Sequence, residues 1–206
     1  MIQVAQNGDR PRDAHPSLPV TLEELVADAS ACLESGAASV HLHPRRPADG
    51  IQSLAAEVCD PVVAAIRSTL PGLEISLSTS KLIALDGAAD RIEAVCAWRT
   101  PPDLVSLNLA EEGSIELGTA LIERGIGIEA GVFGLADADA LLAAPWTGQV
   151  TRVLVEVIFE HDDVSAVELA TVIDRLVAAL RVERSQSRAQ RREVVDELTL
   201  TGDQRL

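Results

Sequence analysis

The sequence predicts an α/β protein built as a (β/α) barrel, and three observations lead to that fold class. Short apolar runs rich in β-branched residues alternate with longer runs of helical period along most of the chain. The alternation repeats about every 30 residues, the length of one strand-helix unit. Neither a G-x-G-x-x-G nor a G-x-x-x-x-G-K-[ST] pattern is present, so a dinucleotide fold and a P-loop are unsupported, and an unbroken barrel series is favoured.

The individual elements follow from local patterns, taken in chain order. Strands are predicted where β-branched and apolar residues cluster between turn signals. They are Ile2–Gln6, Ala38–His43, Leu73–Thr79, Leu104–Leu109, Gly127–Val132 and Arg152–Phe159. The helices, predicted from apolar residues at helical spacing, are Thr21–Ser35, Leu54–Leu70, Ala88–Arg99, Ser114–Arg124, Ala136–Ala143 and Val164–Arg181. Thr21 with Glu24 forms a capping-box signature, and Gly36 follows that helix as a C′ glycine does.

The last part of the chain breaks the pattern. Val182–Leu206 is charged, and its apolar runs are short enough for one exposed helix around Ala189–Leu198 at most. A closed barrel needs eight strand-helix units, whereas this chain supplies about six. We therefore expect a barrel domain at residues 1–181 that is incomplete, with the last two units replaced by a charged tail at residues 182–206.

Composition limits the classes of partner. The 206 residues carry a formal net charge of −15, which argues against nucleic acid or an anionic membrane surface as the main partner. Hydrophobic residues make up 47% of the chain, enough for a substantial core. The cysteines Cys32, Cys59 and Cys96 form no C-x-x-C pair, and neither a signal peptide nor a membrane-length apolar run is recognisable. We expect reduced thiols and a cytoplasmic location.

The second predicted strand carries a histidine pair. Side chains alternate along a strand, so Ser39, His41 and His43 share one face while Val40 and Leu42 share the other. Two imidazoles about 7 Å apart along one face can both reach a Zn²⁺ ion at about 2.1 Å per bond. The alternative is two polar residues at the rim of a barrel, because the third and fourth ligands must come from elsewhere.

Polar residues also lie at the ends of the other predicted strands, where a barrel places its active site. They are Gln6, Asn7, Asp9, Arg10, Ser78, Thr79, Ser80, Lys81, Ser106, Asn108, Glu129, Glu156, Glu160 and His161. The alternative is that polar residues simply mark where strands stop. Five cations follow the first three strands and predict a rim that would attract an anionic substrate, unless they are ordinary solvated loop charges. They are Arg10, Arg12, Arg45, Arg46 and Lys81.

These blocks together resemble the β-keto acid cleavage enzyme family. The resemblance is carried by "VAQNGDRPRDAHPSLPVTLEELVADASACLESGAASVHLHPR" and continues through "ISLSTS", "AWRTPPDLVSLNLAEEG", "GIGIEAGVF" and "RVLVE". It spans residue 2 to about residue 180 and implies a TIM barrel, one Zn²⁺ held by His41 and His43, and a homo-oligomer. It also implies that a β-keto acid and acetyl-CoA react in a retro-Claisen step to give acetoacetate and a new CoA thioester.

The resemblance further implies which residues act in catalysis. The matching positions are Arg45, Ser78, Thr79, Asn108 and Glu129. In these roles, hydroxyl and amide groups would hold the substrate carboxylate and the developing oxyanion, while zinc acts as a Lewis acid.

The sequence also departs from the family pattern. The family's third zinc ligand is a glutamate in an R-x-G-x-E-D segment that this chain lacks, and Glu129, Glu156 and Glu160 are the candidate replacements. Arg46 stands where the family usually has aspartate, and Ser80 where it has glycine. Two alternatives to an active zinc enzyme therefore stay open: a truncated, catalytically inactive relative, or a module that binds an acidic metabolite or acyl-CoA.

Overall fold

Six parallel strands form a single sheet in chain order. The computed structural model describes residues 1–83, 87–155, 171–172 and 174–178. The strands are β1 (Gln3–Ala5), β2 (Ser39–Leu42), β3 (Glu74–Ser78), β4 (Leu104–Asn108), β5 (Gly127–Val132) and β6 (Arg152–Val155). Each strand pairs in parallel with the next, so the sheet is a curled half-barrel, consistent with the incomplete TIM-type barrel that the sequence predicts.

A helix connects each pair of consecutive strands. The helices are α1 (Leu22–Glu34), α2 (Ala56–Thr69), α3 (Ala88–Cys96), α4 (Ser114–Glu123) and α5 (Leu135–Ala143), and short 3-10 turns lie at Arg12–Ala14 and Thr147–Gln149. The predicted capping box is present at α1, where Thr21 Oγ1 accepts a hydrogen bond from the Glu24 N–H at 3.2 Å. Gly36 has a φ of +94°, as the C′ position requires.

The predicted bounds of strands β1 to β5 differ from the structure by at most one residue at each end. The predicted start of α3 at Ala88 is confirmed, but its predicted end was wrong, because that helix ends at Cys96 and not at Arg99. Trp98 leaves the helical path to bury its ring, and its indole N–H donates to the Leu54 carbonyl at 2.7 Å. The carboxylate of Asp60 then accepts the Arg99 backbone N–H at 3.1 Å, which replaces a further helical turn.

The two faces of the sheet differ in polarity. The face toward the helices is apolar and buried, and its residues are Val40, Leu42, Ile75, Leu77, Val105, Leu107, Ile128, Ala130 and Val132. The concave face is mainly polar, with Leu104 and Leu154 among its apolar members, and its polar residues are Gln3, Ser39, His41, Glu74, Ser76, Ser78, Ser106, Asn108, Glu129 and Arg152. The hydrophobic core therefore lies between the sheet and the helices, and the polar concave face is where a functional site is expected.

One glycine allows a close packing contact in the helical layer. A Cβ atom at Gly118 would lie 2.3 Å from the indole ring of Trp146, so only glycine lets that ring pack against α4. The indole N–H of Trp146 donates to the Ile115 carbonyl at 3.0 Å, which fixes the segment leading into β6.

Several predictions lie wholly or partly outside the described residues. Of the predicted strand Arg152–Phe159, the structure describes only β6. Of the predicted helix Val164–Arg181, residues 171–172 and 174–178 are described, and they are helical. The charged tail at residues 182–206 and the division into domains at residue 181 stay predictions. Among the described helices, none is long and apolar enough to cross a membrane.

Candidate active site

The histidine pair lies on the concave face of β2, as the alternation of side chains predicts. His41 is the last inward position of the strand, and His43 follows just beyond its end. The two ring centroids are 5.4 Å apart, and the rings meet edge to face at 85°. Val40 and Leu42 point the other way and are fully buried. The two imidazoles are therefore close enough to share one small ligand.

Each imidazole is held through its Nδ1 atom by a different partner. Nδ1 of His41 lies 2.9 Å from the hydroxyl of Ser76, which is the residue paired with it across β3. Nδ1 of His43 lies 2.6 Å from Oε1 of Gln52. Among the described residues, neither Nε2 atom has a hydrogen-bond partner. This is how a metal-binding histidine is usually held, with one nitrogen fixed and the other open.

Both rings are neutral near pH 7. Burial, and secondarily the neighbouring ring of His43, lowers the pKa of His41 to about 4. Burial also lowers the pKa of His43, against the opposing effects of Gln52 and Asp9. Neutral imidazoles keep the lone pair that a metal ion requires.

Glu129 lies on the concave face of β5 and is almost fully buried, with 2% of its surface exposed. Its Oε2 accepts the Ser76 hydroxyl at 3.4 Å and the Gln3 amide at 3.4 Å. Its Oε1 lies 3.6 Å from Nε of Arg152, which also pairs with Glu74. Glu129 is thus linked to His41 through the hydroxyl of Ser76. We call His41, His43, Ser76, Gln52 and Glu129 the histidine cluster.

The described residues do not complete a metal site. No group of three histidine, cysteine, aspartate or glutamate side chains with suitable geometry occurs within the described ranges. Glu129, one of the three predicted third ligands, has its carboxylate engaged by Ser76, Gln3 and Arg152. The other two candidates, Glu156 and Glu160, lie outside the described residues, as does His161. The histidine pair therefore fits two ligand positions of a zinc ion, and the described part of the chain supplies no third.

Asn7 fixes the backbone at the end of β2. Its Oδ1 accepts the His43 N–H at 2.9 Å, and its Nδ2 donates to the His43 carbonyl at 3.0 Å and to the Pro19 carbonyl at 3.2 Å. Asn7 is 3% exposed, so this pair of hydrogen bonds between the loop and the strand is shielded from water. It holds His43 in line with the strand.

Arg45 serves in this structure as a clamp between two loops. Its guanidinium donates to the carbonyls of Gly8 at 2.9 Å, Arg10 at 2.6 Å and Gly50 at 3.1 Å. Only 8% of the residue is exposed, and its Nε has no partner within the described part of the chain. Arg45 therefore joins the loop after β1 to the loop after β2, and its charge faces backbone carbonyls.

Ser78 and Thr79 end β3 and are nearly fully buried. The Thr79 hydroxyl donates to the Ser106 carbonyl of β4 at 2.6 Å, and the Ser78 hydroxyl accepts the Ser80 N–H at 3.3 Å. Both hydroxyls thus make internal contacts that shape the turn after β3. Neither is joined to the histidine pair by a hydrogen bond.

Asn108 belongs to a second polar network centred on Glu111. Oε1 of Glu111 accepts the Asn108 amide at 3.1 Å and the Ser80 hydroxyl at 3.3 Å. Oε2 accepts the Lys81 N–H at 3.0 Å and forms an ion pair with Arg91, which is 1% exposed. We call Glu111, Arg91, Asn108, Ser80 and Lys81 the Glu111 cluster. It ties the turn after β3 to the end of β4.

The predicted cationic rim is partly neutralised. Arg12 pairs with Glu24, with a contact of 2.7 Å, and Arg46 pairs with Asp49 at 2.7 Å. Arg45 is directed at carbonyl groups, as described above. Arg10 and Lys81 are exposed and show no ion pair with another described residue.

A cleft of about 360 Å³ opens beside Gln52 at this end of the sheet. Its lining combines charged and apolar side chains, namely Asp9, Pro11, Arg12, Arg45, Asp49, Ile51, Gln52, Leu82 and Ile83, together with Gly50. The cleft is large enough for a small organic acid and adjoins the residue that holds His43.

Sequence reasoning missed four residues that organise the site: Ser76, Gln52, Glu111 and Arg91. Ser76 could have been found, because it shares the period-two face of Ser78 in an otherwise apolar strand. Gln52 is nine residues from His43 and reaches it only through the fold of the loop, so no local pattern marks it. Glu111 looks in the sequence like an ordinary acidic loop residue beside Glu112.

Comparison with known proteins assigns the family. The model of the family described as beta-keto acid cleavage enzyme matches residues 1–171. A 3-keto-5-aminohexanoate cleavage enzyme from Fusobacterium nucleatum is 28% identical over 135 residues, which cover 59% of this chain and 48% of that protein. A 3-oxoadipate:acetyl-CoA acetyltransferase from Cupriavidus necator is 32% identical over 125 residues, covering 60% of this chain and 41% of that protein. The chain thus spans less than half the length of each curated relative.

Solved structures agree on the fold. A mandelate racemase/muconate lactonizing enzyme from Roseiflexus sp. superposes with a TM-score of 0.55 at 14% identity, covering 86% of this chain and 44% of that one. At this identity the likeness concerns the fold alone. The sequence match, which covers most of the chain, shows that this protein belongs to the beta-keto acid cleavage enzyme family.

Proposed function

We propose that this chain forms part of a zinc-dependent β-keto acid cleavage enzyme that uses acetyl-CoA as its second substrate. The observation that carries the proposal is the pair of adjacent neutral imidazoles, each held at Nδ1 and open at Nε2. Family membership supplies the reaction class. Because the chain spans less than half of its curated relatives, the complete activity is a hypothesis about the site that these residues help to build.

The proposed reaction exchanges an acyl group between carbon and sulfur. The bond between the keto carbon and the α carbon of the β-keto acid breaks, and the α carbon forms a new bond to the acetyl carbon of acetyl-CoA. The bond between the acetyl carbon and the CoA sulfur breaks, which gives acetoacetate, and the released acyl group forms a new thioester bond to that sulfur. No oxidant or reductant is needed, because every atom of the two substrates appears in the two products.

His41 and His43 are the residues that would hold zinc. Bound there, zinc would supply Lewis-acid polarisation of the keto oxygen. The predicted candidates for a third protein ligand are Glu129, Glu156 and Glu160, of which Glu156 and Glu160 lie outside the described residues. Glu129 is the weaker candidate, because its carboxylate is already shared by Ser76, Gln3 and Arg152. Its proposed role is to orient His41 through Ser76.

The other predicted catalytic residues are proposed to have different roles. Asn108 presents an amide at the end of β4, where a Cβ atom on Gly131 would lie 2.5 Å from its Oδ1, so the glycine leaves room for that group. Ser78 and Thr79 would shape the adjacent turn, since their hydroxyls make internal contacts. Arg45 would keep the two loops around His43 together and contribute positive charge to the cleft of about 360 Å³.

The test is a product assay with defined substrates. The purified chain is incubated with zinc, acetyl-CoA and either 3-oxoadipate or 3-keto-5-aminohexanoate, the compounds in the names of the two relatives. Mass spectrometry should detect acetoacetate together with a new CoA thioester. The H41A/H43A double variant is the matched control and should give neither product. Equal product from both proteins would refute the role of the pair.

A second candidate function is binding of a keto acid or acyl-CoA without turnover. It is favoured by the lack of a third metal-ligating side chain within the described ranges. Titration calorimetry with acetyl-CoA in the presence and absence of a chelator separates the two functions. Binding that the chelator leaves unchanged, with no thioester product, would favour the binding module. The cytoplasmic location and the homo-oligomer stay predictions.

A further inference from the structure

We propose that Gln52 is a positioning residue that holds the His43 ring in the tautomer whose Nε2 faces a metal ion. This inference rests on the proposed function, in which His43 is a zinc ligand. It concerns a residue that neither the sequence pattern nor the family comparison singles out.

The contact itself defines the tautomer. Oε1 of Gln52 lies 2.6 Å from Nδ1 of His43, and an amide oxygen can only accept a hydrogen bond. The proton of the neutral ring therefore lies on Nδ1, and the lone pair lies on Nε2. A ring without this partner would exchange between two tautomers and rotate, so that part of the population would present N–H to the ion.

The loop between His43 and α2 is built to return Gln52 to this position. Arg45 and Gln52 form an isolated antiparallel bridge, and the Ser53 N–H donates to the Pro44 carbonyl at 3.0 Å. Further along the hairpin, the Arg46 N–H donates to the Ile51 carbonyl at 2.8 Å. Backbone hydrogen bonds thus fix the main chain at Gln52, from which its side chain reaches His43, before any ligand arrives, as precise positioning of a site requires.

Side-chain contacts also stabilise the hairpin. Arg46 pairs with Asp49 across its tip at 2.7 Å, and the guanidinium of Arg45 donates to the Gly50 carbonyl at 3.1 Å. The buried Arg45 thus contributes to the site, because it supports the hairpin segment that carries Gln52. Arg45 is thus a support for Gln52 in addition to its proposed contribution to the charge of the cleft.

Both histidines are oriented by uncharged partners, but only the partner of His41 is in turn hydrogen-bonded to a charged group. The Ser76 hydroxyl contacts Nδ1 of His41 and donates a hydrogen bond to the Glu129 carboxylate. His43, in contrast, faces a neutral amide. A glutamate in place of Gln52 would keep the acceptor and add a negative charge, which strengthens the hydrogen bond from Nδ1. Loss of the acceptor and its conservative replacement should therefore have opposite effects on metal affinity.

The experiment combines two measurements on the chain as it exists. Nitrogen-15 NMR of the histidine rings reports the tautomer, and titration calorimetry reports the Kd for Zn²⁺. The variants are Q52L, which removes the acceptor, Q52N, whose amide is too short to reach the ring, and Q52E, which keeps the acceptor. Q149L is the matched control, because Gln149 is exposed and lies in the 3-10 turn before β6.

The wild type should show His43 with its proton on Nδ1. Q52L and Q52N should lose that preference and weaken zinc binding by about 10- to 100-fold, the usual effect of removing the partner of a metal-bound histidine. Q52E and Q149L should keep the tautomer and bind zinc at least as tightly as the wild type. Having two variants that remove the contact guards against one that fails to fold.

The two proposals fail in different ways. If Q52L and Q52N keep both the tautomer and the zinc affinity, the role of Gln52 is refuted whatever the activity. If the tautomer changes in both variants but wild-type protein binds no zinc, Gln52 positions His43 and the zinc-dependent function is what fails. If zinc binding is intact while no thioester product forms, the positioning role stands and the cleavage reaction is refuted.

Discussion

The histidine cluster and the Glu111 cluster are built on opposite principles. In the Glu111 cluster, one carboxylate receives four hydrogen-bond donors, one of which is the guanidinium of Arg91, a residue that is 1% exposed. In the histidine cluster, two neutral rings each use one nitrogen and leave the other open. The Glu111 carboxylate is saturated, although Nε of Arg91 has no partner among the described residues, whereas the second cluster keeps an open Nε2 atom on each ring. From this difference we expect the first cluster to stabilise the loops, in keeping with our proposal that the second binds a ligand.

The comparison also explains why buried charge appears where it does. Burying the charge of Arg91 costs free energy, because water no longer solvates the guanidinium. The ion pair with Glu111 is therefore required to offset that cost. The histidines avoid that requirement, because their rings are neutral when buried. Substitutions should therefore affect stability in the Glu111 cluster and ligand affinity in the histidine cluster.

The largest effect is expected for E111Q. The substitution keeps the shape of the side chain but leaves the Arg91 guanidinium without its carboxylate. Breaking a buried pair in this way should lower the free energy of unfolding by about 3–5 kcal/mol, measured by urea denaturation. E112Q is the matched control, because the Glu112 side chain is exposed, and its effect should stay within about 0.5 kcal/mol. Equal, small effects would mean that the saturated network is not structural.

The next effect is expected for S76A and should fall mainly on metal affinity. The substitution removes the hydroxyl between His41 and Glu129, so the His41 ring loses its fixed orientation. Zinc affinity should fall about 10-fold or more, while the free energy of unfolding should fall by about 1 kcal/mol for the lost hydrogen bonds. S78A is the comparison variant, since Ser78 contacts Ser80 and no histidine. An S76A protein with wild-type affinity would contradict the orienting role.

A smaller effect is expected at a position remote from both clusters. T21A removes the side-chain cap of α1, where Thr21 Oγ1 accepts the Glu24 N–H. The free energy of unfolding should fall by about 1 kcal/mol, with no change in zinc affinity. This variant supplies the baseline for a purely structural substitution. If T21A weakened zinc binding as much as S76A, affinity would be tracking stability and the contrast between the clusters would be lost.

The smallest effect is a pH dependence at the same helix end. The Arg12 guanidinium, followed by the backbone N–H groups of Thr21 and Val20, lowers the pKa of Glu24 to about 2. An unfolded glutamate titrates near pH 4.3, so the stability from ionised Glu24 is present above about pH 4.3 and is lost as the pH falls toward about 2.

Urea denaturation as a function of pH measures this contribution. E24Q should flatten the acid side of the stability profile, whereas E23Q, whose carboxylate makes no ion pair with Arg12, should keep it. An unchanged slope in E24Q would show that the exposed pair contributes nothing measurable, as is common for surface ion pairs.

The fold could be predicted from the sequence because its signals are local. Strand β5 has the predicted bounds, and the alternation in β2 placed His41 and His43 on one face with Val40 and Leu42 on the other. The contacts within the site could not be predicted, because they join residues distant in the chain. Arg45 illustrates this limit, since its sequence position indicates an anion-binding residue while its guanidinium contacts three carbonyls.

The central claim is that His41 and His43 share one zinc ion through their Nε2 atoms. X-ray absorption spectroscopy of the zinc-loaded chain tests it most directly. We expect one zinc per wild-type chain with two imidazole nitrogens at about 2.0–2.1 Å, and loss of that zinc in the H41A/H43A variant. Zinc held in the same coordination by both proteins, or scattering without imidazole, would contradict the claim.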